Sequence, residues 1–191
     1  MPEATMQPQA GLLVAVVGPS GAGKDSLIGF ARASLPANAG IHFVKRAVTR
    51  LSGVGAEEHV ALSEAEFAAS EAAGAFALTW QAHGLCYGVP RAALEHVRAG
   101  GLAVLNGSRA ALGRTAECFG RVQVVEVTAD PDAIASRLGG RQRETAEDIE
   151  RRIARRIDNY PGAAEAIRID NSGELDVAGQ AFVDILQRLA R

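Results

Sequence analysis

Cysteine, net charge and long hydrophobic runs are all scarce in this chain, and each scarcity excludes a class of protein. Its 191 residues include only two cysteines, Cys86 and Cys118. Without a paired spacing they support neither a disulfide framework nor a cysteine-rich metal site, and a reducing, cytoplasmic setting is expected. Lysine plus arginine number 20 against 22 aspartates and glutamates, for a formal net charge of −2. That balance argues against a general nucleic-acid binder but leaves room for local basic clusters that grip phosphate. The apolar run Leu12 to Val17 is far too short to span a bilayer, and no basic segment of the export-signal kind precedes it.

What the chain does have is alternation. Leu12-Leu13-Val14-Ala15-Val16-Val17 reads as a strand buried on both faces, the kind found inside parallel sheets. Further strands are expected at Ile41 to Val44, Leu102 to Leu105, Val122 to Val127 and Ala166 to Ile169. Helices are expected at Lys24 to Ser34, Ser63 to Ala73, Pro90 to Ala99, Ser108 to Thr115, Pro131 to Leu138, Ala146 to Tyr160 and Glu174 to Leu189. Ser63 and Glu66 have capping-box spacing, and Pro131 suits a first helical turn after Asp130. The alternation predicts an α/β fold with right-handed crossovers. Lys45 to Val89 breaks it with a short helix and two strands, Phe76 to Trp80 and Leu85 to Val89, and reads as an inserted substrate lobe. The expectation is a single domain over 1–191: core 12–44 and 90–191, insertion about 45–89, lid about 137–150.

Gly18-Pro19-Ser20-Gly21-Ala22-Gly23-Lys24 follows the first strand and opens a helix, the context a phosphate-binding P-loop requires. Its glycines let backbone N–H groups turn toward a phosphate, and the helix dipole adds partial positive charge. Lys24 is placed to reach the β- and γ-phosphates of ATP. Where the motif has Ser or Thr for Mg²⁺, this chain has Asp25, followed by Ser26. A carboxylate is also a hard oxygen ligand, so Asp25 is a candidate for Mg²⁺; as an acid in the first helical turn it has a purely structural alternative.

From Gly18 onward the chain resembles the guanylate-kinase branch of the nucleoside monophosphate kinases. The likeness rests on Arg46-Ala47-Val48-Thr49-Arg50, on the Trp80 to Gly88 stretch, and on the lid-like Arg137 to Glu144. Gly18 to Leu27, Glu58 to Glu64 and Val104 to Ala110 resemble more closely the ribose 1,5-bisphosphate phosphokinases of that superfamily, which make phosphoribosyl diphosphate in bacterial phosphonate breakdown. The implied fold is a P-loop NTPase with a parallel sheet flanked by helices, an inserted substrate lobe and a lid. The departures from guanylate kinase are chemical. Thr79 precedes Trp80 where those enzymes have an acid, Val89 follows Tyr87-Gly88 where they have a hydroxyl, and their acidic cluster becomes Asn106-Gly107-Ser108. A purine left without those acceptors would bury unpaired donors at about 1–3 kcal/mol each, which favours an acceptor without a base.

The resemblance implies ATP and Mg²⁺ as cofactors and a phosphorylated ribose as acceptor. Lys45, Arg46 and Arg50 would hold acceptor phosphate, two of them with forked guanidinium donors, and Tyr87 would add a hydroxyl. Asn106, Ser108 and Arg109 come just past the carboxyl end of a central strand, where open α/β sheets bind ligands, and are candidates for the ribose or a second phosphate. Lys24, Arg141 and Arg152 are the catalytic candidates, the arginines closing over the transferred phosphoryl with Arg143 nearby. His59 is a secondary acceptor candidate. Neither nucleic acid nor a membrane is an expected partner, and a homodimer stays open. The rival readings are a guanylate-kinase-type enzyme and a non-catalytic kinase-like binding module.

Overall fold

The computed structural model describes residues 11–37, 39–50, 59–82, 84–139 and 160–191. Its first sheet has the order β2-β7-β1-β8-β9, all parallel: Ile41–Phe43, Leu102–Asn106, Leu12–Val17, Val122–Thr128 and Ile167–Asp170. β1 lies in the middle, and Leu13 to Val17 are fully buried, as a strand covered on both faces must be. On one face Val14 and Val16 pack with Leu27 of α1 (Lys24–Ser34) and Phe182 of α6 (Leu175–Leu189). On the other, Leu13 and Leu105 meet Leu94 and Val97 of α3 (Arg91–Arg98). Beside them Ala15 and Val17 meet Leu112 of α4 (Leu112–Phe119) and Tyr160.

A second sheet, β4-β3-β6-β5, draws all its strands from residues 47–90: Val60–Ala61, Ala47–Val48, Leu85–Pro90 and Phe76–Ala82. β5 and β6 form an antiparallel hairpin, and β3 joins β6 antiparallel and β4 parallel. Leu78 and Val89 reach from this hairpin into the cluster that contains Leu94, Val97 and Leu105, so the two sheets share apolar packing. That shared packing fixes where the second sheet stands relative to the first.

Elements follow the sequence expectations closely, with informative exceptions. α2 (Glu64–Ala72) begins on the expected capping box, both reciprocal bonds formed, and Ser63 holds the Glu66 carboxyl below its ordinary range. Pro131 opens α5 (Pro131–Gly139). The helix expected from Ser108 begins instead with a 3₁₀ turn, Arg109–Ala111, and α4 then runs on to Phe119, where Gly120 at φ 75 ends it. β3 and β4 are two residues each and carry no hydrophobic run to announce them. Most of the helix expected over 146–160 lies outside the described residues. Tyr160, which is described, is not helical, consistent with the bias that Pro161 imposes on its predecessor.

Candidate active site

The carboxyl ends of β1 and β7 carry the first half of the site. Gly18, Gly21 and Gly23 all have positive φ, at 149, 85 and 88. At two of them a side chain is also excluded by space: a Cβ on Gly18 would stand 2.2 Å from the Val127 carbonyl oxygen, and one on Gly23 2.3 Å from Asn171 Nδ2. Lys24 Nζ folds over the loop and donates to the Gly18 and Pro19 carbonyls at 2.9 and 2.8 Å. Gly23 caps α1 in a left-handed conformation with no side-chain cap, so the phosphate loop runs directly into the helix N-terminus.

Asp25 and Asn106 meet between the loop and the sheet. Asn106, the last residue of β7 and 8 % exposed, donates its amide nitrogen to Asp25 Oδ1. This places the loop carboxylate and the strand-end amide carbonyl in one small space. Carboxylate and carbonyl oxygens are the donors that Mg²⁺ takes, so these residues fit that ion.

Two neighbours of the loop are not among the site residues expected from the sequence, although one of them, Arg137, heads the lid-like stretch. Asn171, just past β9, is 2 % exposed and donates Nδ2 to the Ala22 carbonyl at 2.8 Å, while its own N–H bonds Thr128 O at 2.8 Å. Its Oδ1 is buried with no hydrogen-bond partner among the described residues. Arg137, on α5, has a buried Nη1 that finds no hydrogen-bond partner among the described residues and lies 3.8 Å from the position a Cβ on Gly23 would take. In sequence Arg137 comes four residues before Arg141, which is a usable signal. Asn171 gave none beyond its position after a strand.

The second half of the site is a stack. Trp80 and Tyr87 are cross-strand partners on the β5–β6 hairpin, with ring centroids 5.2 Å apart and planes 5° from parallel. The Arg46 guanidinium lies over both rings, 5.1 Å from Tyr87 and 5.7 Å from Trp80. Arg46 is 6 % exposed, so this is a desolvated cation–π arrangement, worth about 2 kcal/mol. The register that pairs Val48 with Tyr87 brings Arg46 there, two residues before Val48. Of the remaining acceptor candidates, Arg50 is half-buried beyond β3, Lys45 is exposed, and His59 is half-buried immediately before β4.

Arg109 belongs to a different cluster. Its Nη1 stands 3.8 Å from Glu126 Oε1, both side chains nearly enclosed, and Arg168 reaches the same carboxylate at 3.2 Å. Burial, and then the Glu126 carboxylate, push the Tyr160 phenol up to about 12. Ser108 precedes the 3₁₀ turn, but its side chain makes no capping bond. The structure therefore brings Lys24, Asp25 and Asn106 together, and separately Arg46 with Tyr87. Arg141, Arg143 and Arg152 lie outside the described residues.

A phosphate loop after the central strand of a five-stranded parallel sheet, with a second, mixed sheet docked on the same core and basic residues flanking its β3 strand, is the arrangement of a P-loop kinase of the nucleoside-monophosphate-kinase type. Solved structures agree on the fold. A guanylate kinase from Anaplasma phagocytophilum matches with a TM-score of 0.67 at 17 % identity, over 94 % of this chain and 86 % of its own. A gluconokinase from Sinorhizobium meliloti matches with a TM-score of 0.52 at 18 % identity, over 96 % of this chain and 95 % of its own. No protein-family model matches. Curated relatives are much nearer in sequence. The ribose 1,5-bisphosphate phosphokinase PhnN of Agrobacterium fabrum is 44 % identical over 178 residues, 93 % of this chain and 97 % of that protein. The protein of the same name from Rhizobium etli is 43 % identical over 181 residues, 95 % of this chain and 92 % of that protein. The chain belongs to the ribose 1,5-bisphosphate phosphokinase family.

Proposed function

We propose that the chain transfers the γ-phosphoryl of ATP to ribose 1,5-bisphosphate, extending its 1-phosphate to a diphosphate and giving 5-phosphoribosyl 1-diphosphate and ADP. One observation carries the choice of acceptor: none of the three positions that would read guanine presents a group to a base. The Thr79 hydroxyl donates to Glu71 at 2.7 Å, Val89 is fully buried in the shared core, and the Asn106 amide nitrogen is bonded to Asp25. What the acceptor side offers instead is cationic. Arg46 is braced on Trp80 and Tyr87, and Arg50 and Lys45 lie within four residues of it.

The transferred group needs positioning and charge neutralisation more than covalent help. Loop and first-turn N–H groups, those of Gly21, Gly23, Lys24 and Asp25 among them, hold the ATP phosphates, and Lys24 moves from its carbonyl partners to the β- and γ-oxygens. Asp25, with the Asn106 carbonyl, would hold Mg²⁺, which would supply positive charge against the nucleotide phosphates. An oxygen of the acceptor's 1-phosphate then forms a bond to the γ-phosphorus as the bond to the ADP oxygen breaks. Arg46, Arg50 and Lys45 hold the acceptor phosphates with Tyr87 and His59. Ser108, just past β7, would meet the sugar, Arg109 being engaged with Glu126, and the resemblance alone assigns Arg141, Arg143 and Arg152 to the charge around the transferred group. The substrates are small molecules. The free cysteines support a cytoplasmic enzyme, and among the described residues no helix is long and apolar enough to cross a membrane.

A second reading, with GMP as acceptor, draws on Glu71, whose carboxylate does stand beside Thr79. Successive strand residues face opposite ways, so Thr79 and Glu71 lie on the face of β5 opposite Trp80 and the Arg46 stack. Phosphorus NMR of a reaction containing ATP and ribose 1,5-bisphosphate tests the proposal. Two coupled diphosphate resonances should replace the 1-phosphate signal. Release of inorganic phosphate with the bisphosphate unchanged would refute it.

A further inference from the structure

A phosphate loop works only if its N–H groups turn inward, which forces carbonyls outward, where each needs a donor. For the peptide unit joining Ala22 and Gly23 that donor is identifiable. Asn171 Nδ2 bonds the Ala22 carbonyl at 2.8 Å from a site 2 % exposed, and Asn171 is itself anchored through its N–H to Thr128. In a trans peptide C=O and N–H point in opposite directions, so holding the Ala22 oxygen against Asn171 aims the Gly23 N–H the other way. The contact also explains Gly23, since any Cβ there would stand 2.3 Å from the same nitrogen. The orientation of the amide is settled by chemistry: reversed, it would set Oδ1 against a carbonyl oxygen.

We infer that Asn171 is a positioning residue for nucleotide binding: from the end of β9 it locks one peptide of the phosphate loop so that the Gly23 N–H faces the nucleotide phosphates. It touches no substrate itself. The inference rests on the reading that this loop binds ATP phosphates, so equilibrium binding of ATP to the unaltered protein is measured first; no binding there would remove that reading, not this one.

Asn171→Asp keeps the shape but replaces the donor with a carboxylate aimed at the Ala22 carbonyl. At about pH 8 its ATP dissociation constant should rise at least tenfold, the scale of an unmade buried hydrogen bond. As pH falls, the buried carboxyl protonates and regains a donor, so the loss should shrink toward pH 6 while the unaltered protein shows no such recovery. KM for the acceptor should stay within about twofold. ATP affinity like that of the unaltered protein at both pH values, a loss that does not depend on pH, or an equal loss of acceptor affinity would each overturn the inference. If circular dichroism shows that Asn171→Asp does not fold, Asn171→Ala decides: several-fold weaker ATP binding supports the positioning role, and unchanged binding refutes it.

Discussion

The two halves of this site are made of different materials. At the phosphate loop most of the working groups are backbone, and side chains hold that backbone in place: Lys24 on the Gly18 and Pro19 carbonyls and Asn171 on Ala22. On the second sheet the working groups are side chains, and they are held by one another across strands, as Arg46 is by Trp80 and Tyr87. Backbone recognition suits a phosphate chain whose shape is the same in every nucleotide. Side-chain recognition suits an acceptor that distinguishes one kinase from the next, because it can change without disturbing the loop.

That contrast can be broken or sharpened by substitution. The largest effect is expected on the loop side: Lys24→Ala should lower turnover by roughly 10²–10³-fold, the cost of losing one preorganised charge at the transferring group. Its bonds to Gly18 and Pro19 are local, so thermal melts should hardly move. A variant that kept near-normal turnover would dissolve the assignment of the loop. On the acceptor side, Arg46→Lys retains the charge but loses the plane that lies on Trp80 and Tyr87. KM for the acceptor should rise by roughly tenfold while KM for ATP holds. An equal rise in both would mean that the stack serves folding alone.

Asp25→Asn addresses the junction between the halves. It leaves the helix start intact but removes the carboxylate charge, and the Mg²⁺ concentration for half-maximal activity should rise by about tenfold. An unchanged requirement would reduce Asp25 to an acid at a helix N-terminus. The smallest effect is expected on β2, at a residue assigned to neither half. Burial, and secondarily His96 with its ring 5.3 Å away, hold His42 below its ordinary 6.5. A depressed histidine contributes stability that is present above that value and lost as pH falls through the folded one. His42→Gln should therefore lessen the fall in melting temperature between about pH 7 and pH 5. An identical acid slope would remove His42 from the account.

Legibility followed the same division. The loop half could be read because its requirements are local: a buried run, spaced glycines, a lysine and a helix, all within Leu12 to Ser34. The β5–β6 hairpin and α2 were equally plain, since a capping box and two apolar segments around Gly84 are short-range signals. The Arg46 stack was legible only as a list of members. Arg46 and Tyr87 were named as acceptor candidates, but Trp80 served merely as a landmark, because cross-strand register is not written in any one segment. β3 and β4 escaped for a related reason, being two residues long and held by partners rather than by their own pattern. Asn171 lies 149 residues from the carbonyl it holds, a separation that no spacing rule spans.

If side-chain recognition on the second sheet selects a sugar bisphosphate over a nucleotide, kcat/KM for ribose 1,5-bisphosphate and for GMP, measured with ATP and Mg²⁺ in common, shows it directly. Efficient turnover of the bisphosphate and little or none of GMP is expected. Turnover of GMP with no phosphorylation of the bisphosphate would contradict it.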